Sequence, residues 1–451
     1  MARAKKETAL TPEERLQAAL VPDWEWPYKL PENWCWTTIK NVATVVTGGT
    51  PAKNNSDYYG GEFPFFKPAD LDAGRHVSEA SEYLSDLGKS VSRIIPAQAT
   101  AVCCIGSIGK CGFLDVEGAT NQQINSAIPY FNALYQYFYM NTEFFTNQLR
   151  NSASATTIAI VNKTKMESCY YPLAPLAEQQ RIVDRIESLF AKLDEAKEKA
   201  QAVVDSFETR KAAILHKAFT GELTAKWREE HGVRMDSWEK KSVGELCISL
   251  KYGTAKKSDA SGNVVVLRMG NLQQGEIDWS DLAYLKDPDD IEKYKLYPGD
   301  VLFNRTNSAA LVGKTAIYRG EHPAIYAGYL IKLDYDHDKI IGDYLNYALN
   351  TLDAKKYCNS VKTDGVNQSN INAKKIGAYS FNVPSIPEQE KIVSVIQKLL
   401  SKEQQAKETA EIVLNQINLM KKSILARAFR GELGTNDPSE ESAVELLKQI
   451  I

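Results

Sequence analysis

Residues 178–223 read EQQRIVDRIESLFAKLDEAKEKAQAVVDSFETRKAAILHKAFTGEL, and residues 388–433 read EQEKIVSVIQKLLSKEQQAKETAEIVLNQINLMKKSILARAFRGEL. A constant shift of 210 positions aligns the two stretches without a gap, and 20 of their 46 positions are identical. Two copies are too few for a stacked repeat array, which needs three or more short units. The chain therefore holds two similar halves, and such an internal pseudo-dimer suits a target that also has two parts.

The spacing of apolar residues predicts one long helix per copy, about 40 residues and roughly 60 Å in length. Intervals of four and three residues alternate, which is the heptad signature of a coiled coil. In the first copy this stripe comprises Ile182, Ile186, Leu189, Leu193, Ala196, Ala200, Val203, Phe207 and Ile214, with Arg210 as a polar member. In the second copy it comprises Ile392, Ile396, Leu399, Ala406, Ala410, Val413, Ile417, Met420 and Ile424, interrupted by Glu403.

The boundaries and direction of these helices follow from the chain order. Pro175 and Pro387 lie where helix starts tolerate proline, and Gly221 and Gly431 lie where a C-terminal cap is expected. The first helix carries the chain from one globular segment to the next. The second then returns antiparallel, which brings the chain end back to the first segment. The alternative is two helices that pack separately against their own globular neighbours.

The globular segments also repeat, although more faintly. The matched landmarks are Trp36 with Trp238, Gly49-Thr50 with Gly253-Thr254, Phe65-Phe66-Lys67 with Val266-Leu267-Arg268, Gly109-Lys110 with Gly313-Lys314, and Val161-Asn162 with Ile371-Asn372. Short apolar runs between Gly, Pro and Asn predict an α+β fold, a mixed and mostly antiparallel sheet with helices. Because the residues between the landmarks differ, we expect the two domains to recognise different things.

These patterns predict six regions along the chain. They are an N-terminal extension (1–29) with a short helix from Thr11 to Leu20, a first recognition domain (30–175), a central helical region (176–235), a second recognition domain (236–385), a distal helical region (386–433) and a C-terminal tail helix (434–451).

Composition limits the class of protein. Seven cysteines without paired spacing indicate reduced thiols and a cytoplasmic protein. No apolar stretch approaches the ~18 residues of a membrane span, and the first residues do not resemble a secretory signal. The net charge of −3 means that bulk charge alone does not hold nucleic acid, so either local patches or a basic partner must do so.

Catalytic motifs are not found. Gly313-Lys314-Thr315 resembles the end of a phosphate loop, but Ser308 occupies the position that requires glycine. Cys103, Cys104 and Cys111 lack the spacing of a zinc site and are expected in the core. The sequence also lacks the Asn-Pro-Pro-aromatic motif of amino-methyltransferases. We therefore expect a chain without catalytic residues or a metal.

Two variable domains that alternate with two repeated helices resemble the specificity (S) subunit of type I restriction–modification systems. The resemblance covers about residues 30–451. Its sharpest motifs are Pro175-Leu176-Ala177-Glu178-Gln179-Gln180-Arg181-Ile182, Ile386-Pro387-Glu388-Gln389-Glu390-Lys391-Ile392, Ala218-Phe219-Thr220-Gly221-Glu222-Leu223-Thr224 and Ala428-Phe429-Arg430-Gly431-Glu432-Leu433.

The resemblance implies that each globular domain is a target recognition domain for one half of a bipartite, asymmetric site in double-stranded DNA. The coiled coil sets the spacer between the halves. It also docks two methyltransferase (M) subunits, which carry S-adenosylmethionine and methylate adenine N6. Two restriction (R) subunits use ATP and Mg. The chain itself needs no cofactor.

Candidate residues follow from base chemistry, since Arg and Lys pair with guanine and Asn and Gln with adenine. The candidate DNA-binding residues are Lys53, Asn54, Asn55, Lys67, Lys110, Gln122, Gln123, Lys256, Lys257, Arg268, Asn304, Arg305, Asn307, Lys314, Asn367 and Gln368. The candidate partner-docking residues are Glu178, Gln179, Phe219, Glu222, Glu388, Gln389, Phe429 and Glu432. For each DNA candidate, the alternative is that the side chain caps a turn or is merely solvated.

A function of another class stays open at this point, namely a non-catalytic scaffold whose two globular heads bind proteins. Mobility shift on random-sequence duplex, with and without a methyltransferase partner, separates the two hypotheses.

Replacing residues 30–170 by the equivalent domain of a relative should change one half-site and leave the other intact, because each domain is joined separately to the shared helices. Methylation mapping of the hybrid complex measures both half-sites at once. A simultaneous change in both would contradict independent reading.

Overall fold

The computed structural model describes residues 11–154, 159–366 and 368–451. It contains two compact units. Unit 1 holds the chain up to Ala200 together with Ile412–Ile451, and unit 2 holds Gln201–Glu411. Each predicted long helix is therefore divided between the units. None of the helices formed by these residues is long and apolar enough to cross a membrane.

The first helix of the described residues is α1 (Pro12–Ala19), which starts at a capping box between Thr11 and Glu14 and confirms the predicted short helix. The elements that follow are β1 (Cys35–Thr38), α2 (Ile39–Val42), β2 (Ala43–Thr47), β3 (Tyr59–Phe66), β4 (Glu82–Leu84), α3 (Asp86–Ser90), β5 (Thr100–Cys103), β6 (Cys111–Phe113), β7 (Ala119–Thr120), β8 (Ile124–Pro129), α4 (Ala133–Met140), α5 (Glu143–Ser152), α6 (Lys163–Glu167) and β9 (Tyr170–Leu173).

The first repeat copy forms α7 (Leu176–Asp205) and α8 (Phe207–Phe219), followed by α9 (Ala225–His231). The elements of the second globular segment are β10 (Glu239–Ser242), α10 (Val243–Leu246), β11 (Cys247–Tyr252), β12 (Val264–Leu267), β13 (Leu272–Gln273), β14 (Glu276–Ile277), β15 (Tyr284–Leu285), α11 (Pro288–Tyr294), β16 (Val301–Asn304), β17 (Thr306–Asn307), β18 (Thr315–Ile317), β19 (Ala324–Tyr326), β20 (Leu330–Tyr335), α12 (Gly342–Leu349), α13 (Leu352–Val361), β21 (Thr363–Asp364), β22 (Ser369–Asn370), α14 (Ala373–Gly377) and β23 (Ser380–Val383). The second copy is α15 (Ile386–Ala428), and α16 (Ala443–Lys448) follows it.

The two globular segments share one sheet topology. Unit 1 has a four-stranded antiparallel sheet in the order β2-β8-β5-β6, a mixed sheet β4-β3-β7 and the pair β1-β9. Unit 2 repeats these as β11-β20-β16-β18, β15-β12-β19 and β10-β23. The central strands β5 and β16 are buried along their whole length. This confirms the predicted α+β fold and its internal repeat.

The first long helix is interrupted at one residue, where the sequence predicts a continuous helix. Ser206 separates α7 from α8 with φ −84° and ψ −2°. Its hydroxyl donates to the carbonyl oxygen of Ala202, and the Arg210 guanidinium binds that hydroxyl and the Val203 carbonyl oxygen. Such side-chain hydrogen bonds to helix carbonyls distort the helix locally, while the backbone bonds from Ser206 N to Ala202 O and from Arg210 N to Ser206 O are kept at 3.1 Å and 2.9 Å.

The predicted apolar stripe is correct in the first copy and partly wrong in the second. Ala406 is exposed and Met420 is 49% exposed. Their places are taken by the neighbouring lysines. Lys407 lies with its ammonium 4.9 Å from the Phe207 ring centre. Long lysine stems cover apolar surface while the charged end stays near water, so a lysine can occupy a coiled-coil seam.

The two long helices pack antiparallel within each unit, as predicted. In unit 2 the two polar stripe members pair with each other, since Arg210 Nε lies 2.5 Å from Glu403 Oε2. In unit 1 Lys421 Nζ lies 2.5 Å from Asp194 Oδ1, whereas Arg181, earlier on α7, pairs with Glu440 near the chain end. The alternative of separately packed helices is therefore wrong.

The chain end packs on the first globular segment inside unit 1, which confirms the predicted return. Leu425 and Ala428 of α15, and Phe429 directly after it, share one apolar core with Trp36 and Tyr135. Two further contacts hold the tail, a hydrogen bond from Ala443 N to Asn33 O at 2.8 Å and apolar packing of α16 against α1.

Glu403→Ala should destabilise unit 2 by about 1–2 kcal/mol, because it leaves Arg210 partly buried without its partner. The double variant R210L/E403L should lose less stability than the sum of the losses in the single variants R210L and E403L, since both polar groups leave the seam together. The comparison uses the wild type, R210L, E403L and the double variant. Thermal unfolding of the four proteins measures this coupling. Lys199→Ala, in an exposed pair, serves as the control and should leave the midpoint unchanged; strict additivity would contradict the prediction.

Candidate nucleic-acid interface

In unit 1 a glycine-rich loop lies against the segment that precedes β8. Gly49 N donates to Thr120 O at 2.8 Å, and the Thr50 hydroxyl donates to Gln122 Oε1. A Cβ on Gly48 would lie 2.2 Å from the Asn121 carbonyl oxygen, so this approach requires glycine. Two loops that are distant in sequence therefore form one polar edge. The candidates exposed along it are Lys53, Asn54 and Gln122.

The remaining candidates of the first domain have partners within the chain. Asn55 Oδ1 accepts from Asp57 N and begins a short helical turn. The other contacts join Lys67 to Glu82 at 2.9 Å, Lys110 to Asp72 at 2.6 Å, and Gln123 Oε1 to Asn121 Nδ2 at 3.0 Å. These side chains are partly buried, and contact with DNA would exchange an existing partner for a new one.

Unit 2 has a matching edge built from different residues. Thr254 N donates to Tyr326 O at 2.9 Å, and Gly328 N donates to Thr254 O at 2.7 Å. Arg305 reaches the same place, with its guanidinium 4.7 Å above the Tyr252 ring and a 3.3 Å hydrogen bond to Gly328 O. The repeated scaffold thus presents an arginine and an aromatic ring where unit 1 presents amides and a lysine.

The other candidates of the second domain are scattered among local contacts. Lys257 and Gln368 are exposed, and Asn367 lies outside the described residues. The partnered candidates are Lys256 with Asp287 at 2.7 Å, Arg268 with Asp281 at 2.9 Å, Asn307 with Ser308 N at 2.8 Å, and Lys314 with Gln273 at 2.7 Å.

The expectation for Asn304 needs correction. Its side chain is fully buried at the end of β16, and its amide donates to Met269 O at 3.2 Å. In this fold no base can reach it. Three residues outside the predicted set lie exposed on the two edges, namely Arg93, Tyr252 and Tyr329. The aromatic pair borders glycines, as Tyr252-Gly253 and Gly328-Tyr329, a signal that a search for Arg, Lys, Asn and Gln misses.

The repeated glutamates at the helix starts are buried carboxylates rather than surface groups. Glu388 is 0% exposed and accepts hydrogen bonds from Trp238 Nε1 at 2.9 Å, Thr224 Oγ1 at 2.8 Å and Arg228 Nη1 at 2.7 Å. We call this carboxylate with its donors the unit 2 anchor. It joins the loop after α8 to the start of α15 and to the first strand of the second globular segment.

Unit 1 has an equivalent anchor at Glu178, which is also 0% exposed. It accepts from Trp34 Nε1 at 2.8 Å, Asn436 Nδ2 at 2.7 Å and Thr435 Oγ1 at 3.3 Å. These donors are neutral, whereas Arg228 supplies a positive charge in unit 2. The structural counterpart of Trp238 is therefore Trp34, and the sequence match of Trp238 with Trp36 is wrong.

The repeated glutamines fix a second junction in each unit. Gln179 Oε1 accepts from Asn132 N at 3.3 Å, at the start of α4, while its amide donates to Ala174 O. Gln389 Oε1 accepts from Ile341 N at 3.0 Å, at the start of α12. Each glutamine thereby satisfies a donor at a helix N-terminus, which has no partner inside its own helix.

Five of the residues predicted for partner docking therefore have almost no exposed surface, namely Glu178, Gln179, Glu388, Gln389 and Phe429. Direct contact with another chain is not available to them in this fold. Phe219 is half-buried beside a cavity of about 280 Å³, and Glu222 and Glu432 are exposed after the two helix ends. Residues that are repeated in both copies therefore include buried residues that hold the fold together, and not only residues of a docking surface.

Neither metal nor reactive-thiol chemistry is supported by the described part of the chain. It contains no cluster of His, Cys, Asp or Glu able to hold a metal ion. Cys103, Cys104 and Cys111 are buried in the core, as predicted, and burial raises the pKa of Cys104 to about 12. A thiol with a raised pKa is a poor nucleophile at neutral pH.

Glu388→Gln should destabilise unit 2 by about 3 kcal/mol, because it leaves the Arg228 charge buried with neutral partners. Glu178→Gln should cost unit 1 only about 1–2 kcal/mol, since its donors are neutral. Hydrogen exchange of peptides from each unit measures the two losses separately, and the exposed Glu229→Gln is the control. Equal losses in both units would contradict the role assigned to Arg228.

Comparison with known proteins agrees with this geometry. The family model described as type I restriction modification DNA specificity domain matches residues 31–204 and 235–414. The chain is 24% identical to the type I restriction enzyme StySPI specificity subunit of Salmonella potsdam over 424 residues, which are 90% of each protein. It is 25% identical to the EcoKI specificity subunit of Escherichia coli (strain K12), over 94% of this chain and 96% of that protein.

Solved structures share the fold. The HsdS subunit from Thermoanaerobacter tengcongensis aligns with a TM-score of 0.62 and 19% identity, over 91% of this chain and 100% of that one. A chain from a structure on complex assembly and conformational transition of the type I R-M system aligns with a TM-score of 0.69 and 18% identity, over 90% and 100%. Because the family model covers both halves, the chain belongs to the type I restriction modification DNA specificity family.

Proposed function

We propose that this chain is the DNA sequence-specificity subunit of a type I restriction–modification complex and has no catalytic activity of its own. Each globular domain, bounded near 30–175 and 236–385, reads one half of a bipartite, asymmetric site. One observation carries the proposal: two domains that share three sheets of the same strand order present different side chains at the same edge. The edge presents Asn54 and Gln122 in unit 1, and Arg305 and Tyr252 in unit 2.

The chemistry of these edges suits base recognition. Amide side chains pair with adenine, and arginine or lysine pairs with guanine, so the two edges favour different bases. Arg305 is held by the Tyr252 ring and the Gly328 carbonyl oxygen, which reduces the side-chain entropy lost on binding. With a net charge of −3, the chain depends on local basic groups and on its partners for phosphate contacts.

Family membership supports the partners in this proposal. Two M subunits, which bind S-adenosylmethionine and methylate adenine N6, dock on the repeated helical regions, and two R subunits add ATP- and Mg-dependent activity in the cytoplasm. We assign docking to exposed groups at the helix ends, including Glu222 and Glu432. The buried residues of the anchors support that surface from beneath, and the packed helices set the spacer between the half-sites.

The purified chain alone should neither methylate nor cut DNA, whereas the complex with its M subunits should methylate adenine within a split site. Single-molecule methylation mapping of the co-expressed complex measures the site. Asn54→Ala with Gln122→Ala should relax only one half-site, and Arg305→Ala only the other. Lys356→Ala, an exposed residue of α13 that belongs to neither edge, is the control. Methyl transfer by the isolated chain, or relaxation of the same half-site by both variants, would refute the proposal.

A further inference from the structure

Three lysines from three separate elements of unit 2 meet at two adjacent turns. Lys211 lies on α8, Lys314 follows the Gly313 turn between β17 and β18, and Lys355 lies on α13. Their hydrogen bonds run from Lys211 Nζ to Gln274 O at 3.2 Å, from Lys314 Nζ to Gln273 Oε1 at 2.7 Å, and from Lys355 Nζ to Gly313 O at 2.8 Å. We call this group the lysine cluster.

The lysine cluster has no carboxylate in direct contact among the residues that the structure describes. All three acceptors are neutral oxygens, and none of the three ammonium groups forms an ion pair with the residues that the structure describes. Glu208 and Glu276 act on Lys211 only at longer range. Burial lowers the pKa of Lys355 to about 8, helped by the charges of Lys314 and Lys211. Partly buried like charges without a counter-ion are unfavourable, and a bound anion would relieve them.

Unit 1 gathers a basic group at the matching place. Lys110, Arg150 and Lys422 line a cavity of about 560 Å³ together with the glycine turn of residues 106–109. Lys110 follows Gly109 as Lys314 follows Gly313, α5 corresponds to α13, and Lys422 stands beside Lys421, the repeat counterpart of Lys211. One carboxylate, Glu143, also lines this cavity, and a second, Asp72, pairs with Lys110 at 2.6 Å.

The lysine cluster of unit 2 and the basic group of unit 1 are both positively charged, but most of their residues do not correspond in the alignment of the two units. Lys355 corresponds to a threonine, Thr146, and Arg150 has no basic counterpart on α13. Residues that make the same internal contact in both units are, by contrast, the same in both copies. Glu178 and Glu388 are identical, as are Gln179 and Gln389. Two copies of one protein partner would select matched residues at both sites. A DNA backbone is chemically uniform and accepts any cation at a suitable distance.

We infer that Lys211, Lys314 and Lys355 bind a backbone phosphate of DNA, and that Lys110, Arg150 and Lys422 do so in unit 1. The inference rests on the proposed DNA-recognition function and adds contacts that position the duplex without reading its bases. Each lysine offers a compact charge with three donors, which suits a phosphate oxygen in any orientation. The cluster then accounts for part of the affinity that a net charge of −3 does not provide.

The test is a salt titration of DNA binding by the complex with its M subunits, on a specific and on a random duplex. Because each neutralised phosphate contributes about 0.9 to the slope of log K against log salt, losing one contact weakens binding about fivefold at ~0.15 M salt. K211M/K355M should show this loss equally on both duplexes, with the methylated sequence unchanged. K211R/K355R should restore binding. Lys356→Met, exposed on the same helix, is the matched control and should bind as wild type.

Lys422→Met provides a second test in unit 1. Because this side chain is exposed on α15, its loss should not disturb folding. The variant should lower the slope of log K against log salt by the same amount, about 0.9. Unchanged slopes in folded variants would overturn the inference while leaving the proposed function intact. Loss of M subunits on co-purification of K211M/K355M would also overturn it, in favour of a protein-docking role. A wild-type complex that binds neither duplex would overturn the proposed function itself.

Discussion

A buried carboxylate at the start of each long helix is the interaction on which both units depend. An ionised carboxylate without donors costs several kcal/mol to bury, so each anchor requires all of its partners at once. Glu388 draws them from the loop after α8 and from Trp238, and Glu178 draws them from Trp34 and the segment after α15. Each carboxylate thereby joins the start of one long helix, the segment after the end of the other, and the residue before β1 or β10. The tryptophan of each anchor precedes a two-stranded sheet, β1-β9 or β10-β23, and the sheet that carries the recognition edge follows in the chain.

Much of this fold follows from periodicity in the sequence. The heptad pattern predicts both long helices, and Gly221 and Gly431 have the positive φ of 82° and 74° expected beyond a helix end. Periodicity does not show which residue type fills a position. Lys407 lies in the seam because its stem packs on Phe207, while Ala406 faces solvent. The distortion of the helix at Ser206 depends on the hydrogen bonds of the Arg210 side chain, which a local sequence pattern does not predict.

The site was harder to predict than the fold. Loop candidates such as Lys53, Asn54 and Lys257 are exposed, because glycine- and asparagine-rich turns lie at the surface. Asn304 has the same residue type but ends a fully buried strand, and its burial depends on tertiary packing. The repeated Glu178 and Gln179 resemble a docking motif in sequence, yet they bind the chain's own donors. A residue that is repeated in both copies is constrained by some contact. Only the fold shows whether that contact lies inside the chain or with another molecule.

The anchors also bear on how the gene can recombine. A crossover between the two repeat copies would delete 210 codons in frame and leave one globular domain with one long helix. Such a product keeps Glu178 at the helix start and Thr435 beyond the helix end, but a helix of this length, at 1.5 Å per residue, holds them roughly 60 Å apart. The carboxylate then keeps Trp34 as a donor, but it can meet Thr435 and Asn436 only if two such chains associate. A single polypeptide with both repeat copies thus completes within itself the anchors that a halved chain could complete only as a pair.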